Sequence, residues 1–323
     1  MKVANHIFEF FININKNVKL YGKLINLIIT IYKINDVKTN MQSYTIREPE
    51  DGEIIECIKV FLQSFGRNLS NRLEEERKVW TYLIQQNIAK FIVAVKNDKI
   101  IGIGGIFLFH NVSSIGYMGV LPDYRSQGIG TAIFRKLMGL SVSMNSVSVN
   151  LFASKFGQPI YEKFGFKGNY CASAYKFPKN EPDLQNKEKI VKEIQILPDW
   201  LLEIDRKTMG YDRSKYLQAK LYLGDKILVV ENEGYAFLSK ILSTIRIGPL
   251  ITTNLKATLC ILKESKYLGA ENLIIPKISK VQNDFISLMG LIEVGTANLK
   301  MEFGRELTQN LDYLYAIGTY AKG

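Results

Sequence analysis

Histidine is nearly missing from this chain: His6 and His110 are the only two in 323 residues. That leaves almost nothing for a histidine-based metal site or a serine–histidine–aspartate triad. Cysteine is as scarce. Cys57, Cys171 and Cys260 lie far apart and make no ligand or redox spacing. An odd, sparse set of this kind points to a reducing, cytoplasmic setting. Long apolar runs are missing too. The longest in the N-terminal stretch, Leu24 to Tyr32, is bounded by Lys23 and Lys33. It falls well short of the ~20 residues of a membrane helix, and no small-residue cleavage site follows it. No transmembrane segment is expected. The formal net charge is +11, yet the lysines are scattered and no Lys/Arg block stands out. A solvated lysine-rich surface accounts for that charge, and nucleic acid is not an expected partner. Two familiar phosphate-binding motifs are also lacking: Gly-x-x-x-x-Gly-Lys-Ser/Thr, and Gly-x-Gly-x-x-Gly with an acidic residue about twenty positions on.

What is present is ordinary globular composition, 47% hydrophobic and 11% aromatic, at a length that allows two domains. Residues 1–40 read in two ways. One is an appendage, or upstream sequence ahead of a start at Met41; the other is an amphipathic helix or hairpin packed on the domain or a neighbour. A peripheral membrane helix is a further alternative. From Tyr44 the pattern becomes regular. Alternation predicts strands at 44–47, 91–96, 100–109, 115–120, 147–153 and 169–176, the last closing a first sheet. Helical periodicity predicts helices at 53–65, 73–84 and 129–140. Gly102, Gly104 and Gly105 inside one strand predict a bulge or a close backbone approach. The polar stretch 179–188, with Pro182 among its residues, reads as a linker. Beyond it the rhythm partly repeats: strands at 190–196, 226–230, 234–239 and 272–275, and helices at 198–206, 214–221, 255–266 and 284–289.

The stretch Val120-Leu121-Pro122-Asp123-Tyr124-Arg125-Ser126-Gln127-Gly128-Ile129-Gly130-Thr131 carries the chemistry. It runs strand, short loop, helix, with one arginine and two close glycines in the loop. Glycines let backbone N–H groups close on a ligand, and a helix N-terminus offers unpaired donors and partial positive charge. A phosphate or pyrophosphate is the natural occupant.

Val-x-Pro followed by Arg/Gln-x-x-Gly-x-Gly/Ala resembles the acetyl-CoA pyrophosphate loop of the GNAT N-acetyltransferase superfamily. About thirty residues on, Tyr161-Glu162-Lys163-Phe164-Gly165-Phe166 resembles that superfamily's helix-to-strand signature. Short segments of the second half, Ile204-Asp205-Arg206, Gly210-Tyr211-Asp212-Arg213-Ser214 and Ile247-Gly248-Pro249-Leu250, resemble the tandem type. In that type a catalytic GNAT domain precedes a diverged acetyltransferase-like one.

The resemblance implies an α/β (α+β) fold of two GNAT-like domains, at 41–178 and 189–323. Each would be a mixed, mainly antiparallel twisted sheet flanked by helices, with splayed central strands in the first. It implies acetyl-CoA as acyl donor, no metal, and transfer to a primary amine, more naturally of a small molecule than of a protein. Arg125, Ser126, Gln127, Gly128, Ile129, Gly130 and Thr131 would bind the pyrophosphate. Met118, Gly119 and Val120 would present backbone groups to the pantetheine arm and thioester carbonyl, and Tyr161 would protonate the departing thiolate.

No general base is apparent. The fourth strand carries no carboxylate; His110, Tyr117 and Glu74 are the candidates, beside a water chain or an amine that arrives neutral. Phe152 stands where the family pattern has an aspartate. The second half has Gly248-Pro249-Leu250-Ile251-Thr252-Thr253-Asn254 in place of the loop, which predicts lost cofactor binding there. The alternative function is a catalytically weak acyl-CoA sensor or scaffold.

Overall fold

A computed structural model describes residues 44–67, 73–178, 190–241 and 244–321. The readings for residues 1–40 and for the linker 179–188 lie outside the described residues. In the first half, strands β1 (Thr45–Arg47), β2 (Ala89–Lys96), β3 (Lys99–Phe109), β4 (Val112–Val120), β5 (Ser148–Ala153) and β6 (Lys167–Lys176) alternate with helices. The helices are α1 (Ile54–Gln63), α2 (Leu73–Gln85), α3 (Ile129–Ser143) and α4 (Gln158–Lys163). The second half repeats the order with β7 (Lys192–Ile194), α5 (Asp199–Met209), α6 (Ser214–Tyr222), β8 (Lys226–Val230), β9 (Gly234–Ile241) and β10 (Thr244–Thr252). It continues through α7 (Leu255–Tyr267), β11 (Ala270–Lys277), α8 (Lys280–Leu288), β12 (Ile292–Gly304) and β13 (Leu314–Ala316).

The strands join into one sheet, in the order β1-β2-β3-β4-β5-β12-β6-β11-β10-β9-β8-β7, with β13 on β10. The expectation that 169–176 closes a first sheet is therefore corrected. β6 leaves its own half and pairs antiparallel with β11, while β12 of the second half enters between β5 and β6. The exchange is reciprocal, and β12 and β6 run antiparallel at its centre. In each half the fourth and fifth strands are parallel, β4 with β5 and β10 with β11, and their other neighbours antiparallel.

Side chains alternate across the sheet and meet helices on both faces. A Cβ on Gly104 would stand 2.6 Å from Ile133 of α3 and 2.6 Å from Met118, so that glycine admits α3 close to β3. The next residue, Gly105, faces the Phe91 ring, which stacks on Trp80 of α2 at 4.2 Å. In the second half Leu273 and Ile275 pack with Ala257 and Ile261 of α7. Ile274, between them, joins a core that holds Leu201 and Tyr216 of α5 and α6 together with Trp80 and Phe107 of the first half. This shared core binds the halves: Phe109 packs on Tyr211 at 5.5 Å and on Tyr216 at 5.7 Å.

Candidate active site

The parallel pairing of β4 with β5 covers Val112 to Ile115 against Ser148 to Leu151 and goes no further. Beyond Ile115 the β5-facing edge of β4 has no strand partner among the described residues. On the opposite edge Tyr117 and Met118 stand against Gly104 alone, a bulge at which Tyr117 takes φ +53°. Bulges re-aim a strand and increase its twist, and here the bulge falls where β4 leaves β5. This is the splay that the resemblance implied.

β4 runs on through a 3-10 turn, Pro122–Tyr124, to Ser126 at φ +60° and Gly128 at φ +78°, and then into α3. Gly128 is the N-cap residue of α3, and no side chain caps the helix. Among the described residues no acceptor takes the backbone N–H groups of Ser126 to Thr131; the first helix-type bond to the cap runs from Ala132 N to Gly128 O. No atom stands within 4 Å of where a Cβ would sit on Gly128. The glycine is thus required by its backbone angle, and its open side leaves the donors approachable. The arrangement fits a pyrophosphate.

Arg125 has a bracing role. Its Nη2 donates to Ser64 O at 2.6 Å and its Nε to Val120 O at 3.2 Å. It ties the end of α1 to the end of β4 and holds the loop between them.

Tyr161, on α4, is buried at 6% exposure, its ring 4.8 Å from Phe134 of α3. Burial holds its hydroxyl well above the usual tyrosine range, so it stays protonated. The preceding residue, Ile160, lies against Gly130, as does Val120. The structure therefore brings together the loop, the end of β4 and the start of α4.

The base candidates fare differently. His110 sits in the β3–β4 turn at φ +49°, at the far end of β4, roughly 25 Å along the strand from Val120. That removes it from the splay. Glu74 is exposed and paired with Arg77 at 2.7 Å. Tyr117 is ringed by Phe61, Trp80, Phe91 and Phe107. Burial raises its pKa, Glu76 raises it further, and Lys220 of the second half opposes them. That hydroxyl is a poor base.

Phe152 is the first β5 residue beyond the paired segment, with Tyr320 at 5.6 Å and Tyr170 at 6.2 Å. Opposite it on β12 stands Lys300, its Nζ 5.0 Å from the Phe152 ring and 2.9 Å from Asn150 Oδ1. Sequence patterning does not reach Lys300, because β12 itself goes unread. The alternation of Leu299, Met301 and Phe303 with Lys300 and Glu302 is the signal that would have found it. The C-terminal segment closes this side: a Cβ on Gly116 would meet the Ala321 backbone oxygen at 2.5 Å.

In the second half the matching features are satisfied internally. β10 pairs with β11 from Ile245 to Ile247, and then Leu250 and Ile251 pair with β13. Ile317 N donates to Ile274 O at 2.9 Å. The chain's own strand thus fills the slot that stays unpaired beside β4. At the start of α7, Asn254 Oδ1 accepts from Ala257 N at 2.9 Å. Pro249 lies within β10 and not in a loop, which corrects the sequence alignment of that segment: the residues between strand and helix are Thr253 and Asn254 alone. The Asp205 and Tyr211–Ser214 segments serve as a lock. Arg213 donates from Nε and Nη2 to the Asp205 carboxylate, whose Oδ1 also accepts from the Tyr235 hydroxyl.

A splayed parallel strand pair, a donor-lined loop leading into a helix, and a buried tyrosine beside it are the features that the resemblance to the GNAT class implied. Comparison with known proteins agrees. Two family models, each described as an acetyltransferase (GNAT) domain, match residues 87–168 and 201–316. The chain belongs to the GNAT superfamily and carries two such domains in tandem. It is 27% identical to an uncharacterized N-acetyltransferase of Bacillus subtilis, YitH, over 55% of this chain and 63% of that protein. A crystal structure of a presumed acetyltransferase from Pyrococcus horikoshii is 28% identical, with a TM-score of 0.77 over 89% of this chain and 98% of that one. A tandem GNAT protein from the clavulanic acid biosynthesis pathway shares the fold, with TM-score 0.56 at 10% identity, over 81% of this chain and 98% of that one. No helix among the described residues is long and apolar enough to cross a membrane. Among those residues no group of three or more His, Cys, Asp or Glu side chains could hold a metal.

Proposed function

We propose that the protein is an acetyl-CoA-dependent N-acetyltransferase acting on the primary amine of a small acceptor in the cytoplasm. Catalysis belongs to residues 41–178, and residues 189–323 complete the sheet and wall the acceptor side. The observation that carries this reading is the coincidence of unpaired N–H groups at Ser126–Thr131 with the unpaired edge of β4. Acetyl-CoA supplies the acyl carbonyl and a thiolate leaving group. The N–H groups of Ser126 to Thr131 hold its pyrophosphate, with Arg125 fixing the loop and adding charge. The backbone of Met118, Gly119 and Val120 receives the pantetheine arm, and an N–H there steadies the oxygen of the carbonyl under attack. The neutral amine nitrogen attacks the carbonyl carbon. The C–N bond forms, the C–S bond breaks, the Tyr161 hydroxyl gives its proton to the thiolate sulfur, and the proton lost by the amine to water returns through solvent to Tyr161.

The test is CoA release from acetyl-CoA across an amine panel, for wild type and Tyr161→Phe. The expected result is turnover lowered about 10-fold to 100-fold in the variant, with acetyl-CoA affinity kept. Equal turnover would remove Tyr161 from the role. A second reading, an acyl-CoA sensor, is favoured by the Ala321 backbone lying on Gly116. It predicts acetyl-CoA binding with no amine-dependent CoA release.

A further inference from the structure

The side chains that border the unpaired edge of β4 are mostly rings. Gly116 stands opposite Gly105, which faces the Phe91 ring, and Gly119 stands opposite Ile103, a member of the core that holds Trp80 of α2. Residues opposite each other on paired strands share a face, so both glycines open toward α1 and α2. The end of α1 covers Gly119, where a Cβ would meet the Ser64 hydroxyl and, at 3.8 Å, Phe61 Cα. Ala321, next to Tyr320, covers Gly116. Between the two glycines, Tyr117 sets its ring edge-on to Phe61 at 4.8 Å, and Phe65 packs on Phe61 at 5.2 Å. Across the splay, Phe152 follows the last paired residues, Ile115 and Leu151, and so stands level with Gly116. Tyr320 packs on Phe152 at 5.6 Å.

The two lips of the splay are thus Phe61, Ser64, Phe65 and Tyr117 on one side, Phe152 and Tyr320 on the other. None of these six side chains is ionised at neutral pH. The Ser64 hydroxyl donates to Phe61 O at 2.6 Å and the Tyr320 hydroxyl to Ala172 O at 3.3 Å, so both are occupied within the fold. Phe61, Tyr117, Phe152 and Tyr320 are only half-buried, and Phe65 is 54% exposed. Covering such rings from water is favourable, and a flat ring laid edge-on or offset against them gains beyond its buried area. A sugar or an amino acid would instead set hydroxyls or a carboxylate against ring faces, at a desolvation cost. The nearby cations are held elsewhere. Lys300 lies on the side of Phe152 away from β4 and is bonded back to Asn150 of the paired segment. Arg125 is bound to the Ser64 and Val120 carbonyls.

We propose that the acceptor is an arylalkylamine, whose aromatic ring lies between these lips while its amine reaches the unpaired edge of β4. The proposal rests on the acetyltransferase reading and deepens it by naming the class of amine. Phe65 and Phe152, one from each lip, set the selectivity: they contact the ring of the acceptor and leave the acyl donor untouched. Polyamines are rejected, because their further charges would lose water against rings and lie near Lys300.

The experiment compares kcat/KM at saturating acetyl-CoA for phenethylamine, ethanolamine and spermidine, each at the same concentration of unprotonated primary amine. Acetyl-CoA affinity is measured separately by calorimetry. Phenethylamine should exceed the other two by about tenfold to hundredfold, the return on burying one ring. In Phe65→Ala, at an exposed side chain whose loss the fold tolerates, that preference should fall about fivefold or more, mainly through KM, with acetyl-CoA affinity unchanged. Phe65→Tyr should keep most of it. Phe152→Ala, with its fold checked by circular dichroism, should lower the preference from the other lip. The proposal is overturned if ethanolamine or spermidine is turned over as well as phenethylamine. It is also overturned if Phe65→Ala and Phe152→Ala both keep the preference, or if Phe65→Ala weakens acetyl-CoA binding. Acetyl-CoA binding with brisk turnover of ethanolamine or spermidine would sink this proposal alone. Failure of the wild type to bind acetyl-CoA, or binding with no turnover of any amine, would sink the acetyltransferase reading and this proposal with it.

Discussion

Lys300→Met tests whether the exchanged strand β12 buries a charge against the fold's preference. Lys300 is 3% exposed, and its Nζ has Asn150 Oδ1 at 2.9 Å as acceptor. Burial pulls its pKa down from 10.5 to about 8; Glu302 draws it back up and Arg213 pushes it further down. Between pH 8 and 10.5 the unfolded chain keeps a proton that the folded chain has released. The unfolded state binds more protons, so stability rises with pH through that window. Below pH 8 both states are protonated and the burial penalty is present in full. Above 10.5 both are neutral and it is gone. The penalty is about 3 kcal/mol in all, of which about 2.5 kcal/mol should be recovered between pH 7 and pH 10. At pH 7, Lys300→Met removes that penalty but leaves Asn150 Oδ1 without its donor, a cost of about 1–3 kcal/mol. The two nearly cancel, so a single stability at pH 7 decides little. The pH dependence of the difference decides. Denaturant unfolding of both proteins at intervals from pH 7 to pH 10 should show wild type gaining about 2.5 kcal/mol relative to the variant. A difference that stays flat would refute a buried, easily deprotonated lysine at this position.

Three further outcomes follow from other sites. Asp205→Ala strands the buried Arg213 guanidinium and removes the acceptor of the Tyr235 hydroxyl; it should cost about 3–5 kcal/mol in denaturant unfolding. Gly128→Ala places a side chain in open space at φ +78°. It should therefore cost about 1–2 kcal/mol of stability through backbone strain, and weaken acetyl-CoA binding in calorimetry as the loop shifts its donors. Calorimetry on the intact chain should give one acetyl-CoA per chain, and two equal sites would contradict the filling of the second slot by β13.

Much of this organisation is legible from local pattern. The glycine loop ahead of α3 shows in the sequence because its pattern is local: the Val-x-Pro entry, the arginine and the glycines all fall within a dozen residues. Helices such as α3 and α7 show because an amphipathic period survives wherever they pack. What local pattern cannot convey is pairing between strands far apart in the chain. Lys167–Lys176 reads as an edge in sequence, and nothing local says that Ile292–Gly304 will stand beside it. The splay is hidden for the same reason, since it is where pairing stops. Arg125 illustrates a finer limit. Its position predicts phosphate charge, while its two carbonyl acceptors, one of them Ser64 sixty-one residues away, depend on where α1 ends. Pro249 falls, by the rhythm of the second half, where the first half has its glycine loop. In the structure it occupies the β10 region that corresponds to the bulge of β4.

The strand exchange changes what the second half is for. A separable second domain would expose an edge at β5, a row of unpaired groups beside the splay and a template for unwanted pairing. β12 covers that edge with six residue pairs, from Leu299 opposite Ala153 to Gly304 opposite Ser148. The same strand brings Lys300 against Phe152, and the segment after it runs through β13 to lay Tyr320 and Ala321 beside Phe152 and Gly116. One stretch of chain, 292–321, thereby finishes the first half's sheet, fills the second half's slot and borders the unpaired edge of β4. Expressed alone, residues 41–178 would have β5 and β6 each lacking the strand that lies between them. Their separation into an active fragment is accordingly not expected, and addition of residues 189–323 in trans should be needed to recover any CoA release. Full activity in the isolated first half would show that β12 is dispensable and would remove the second half from the acceptor site.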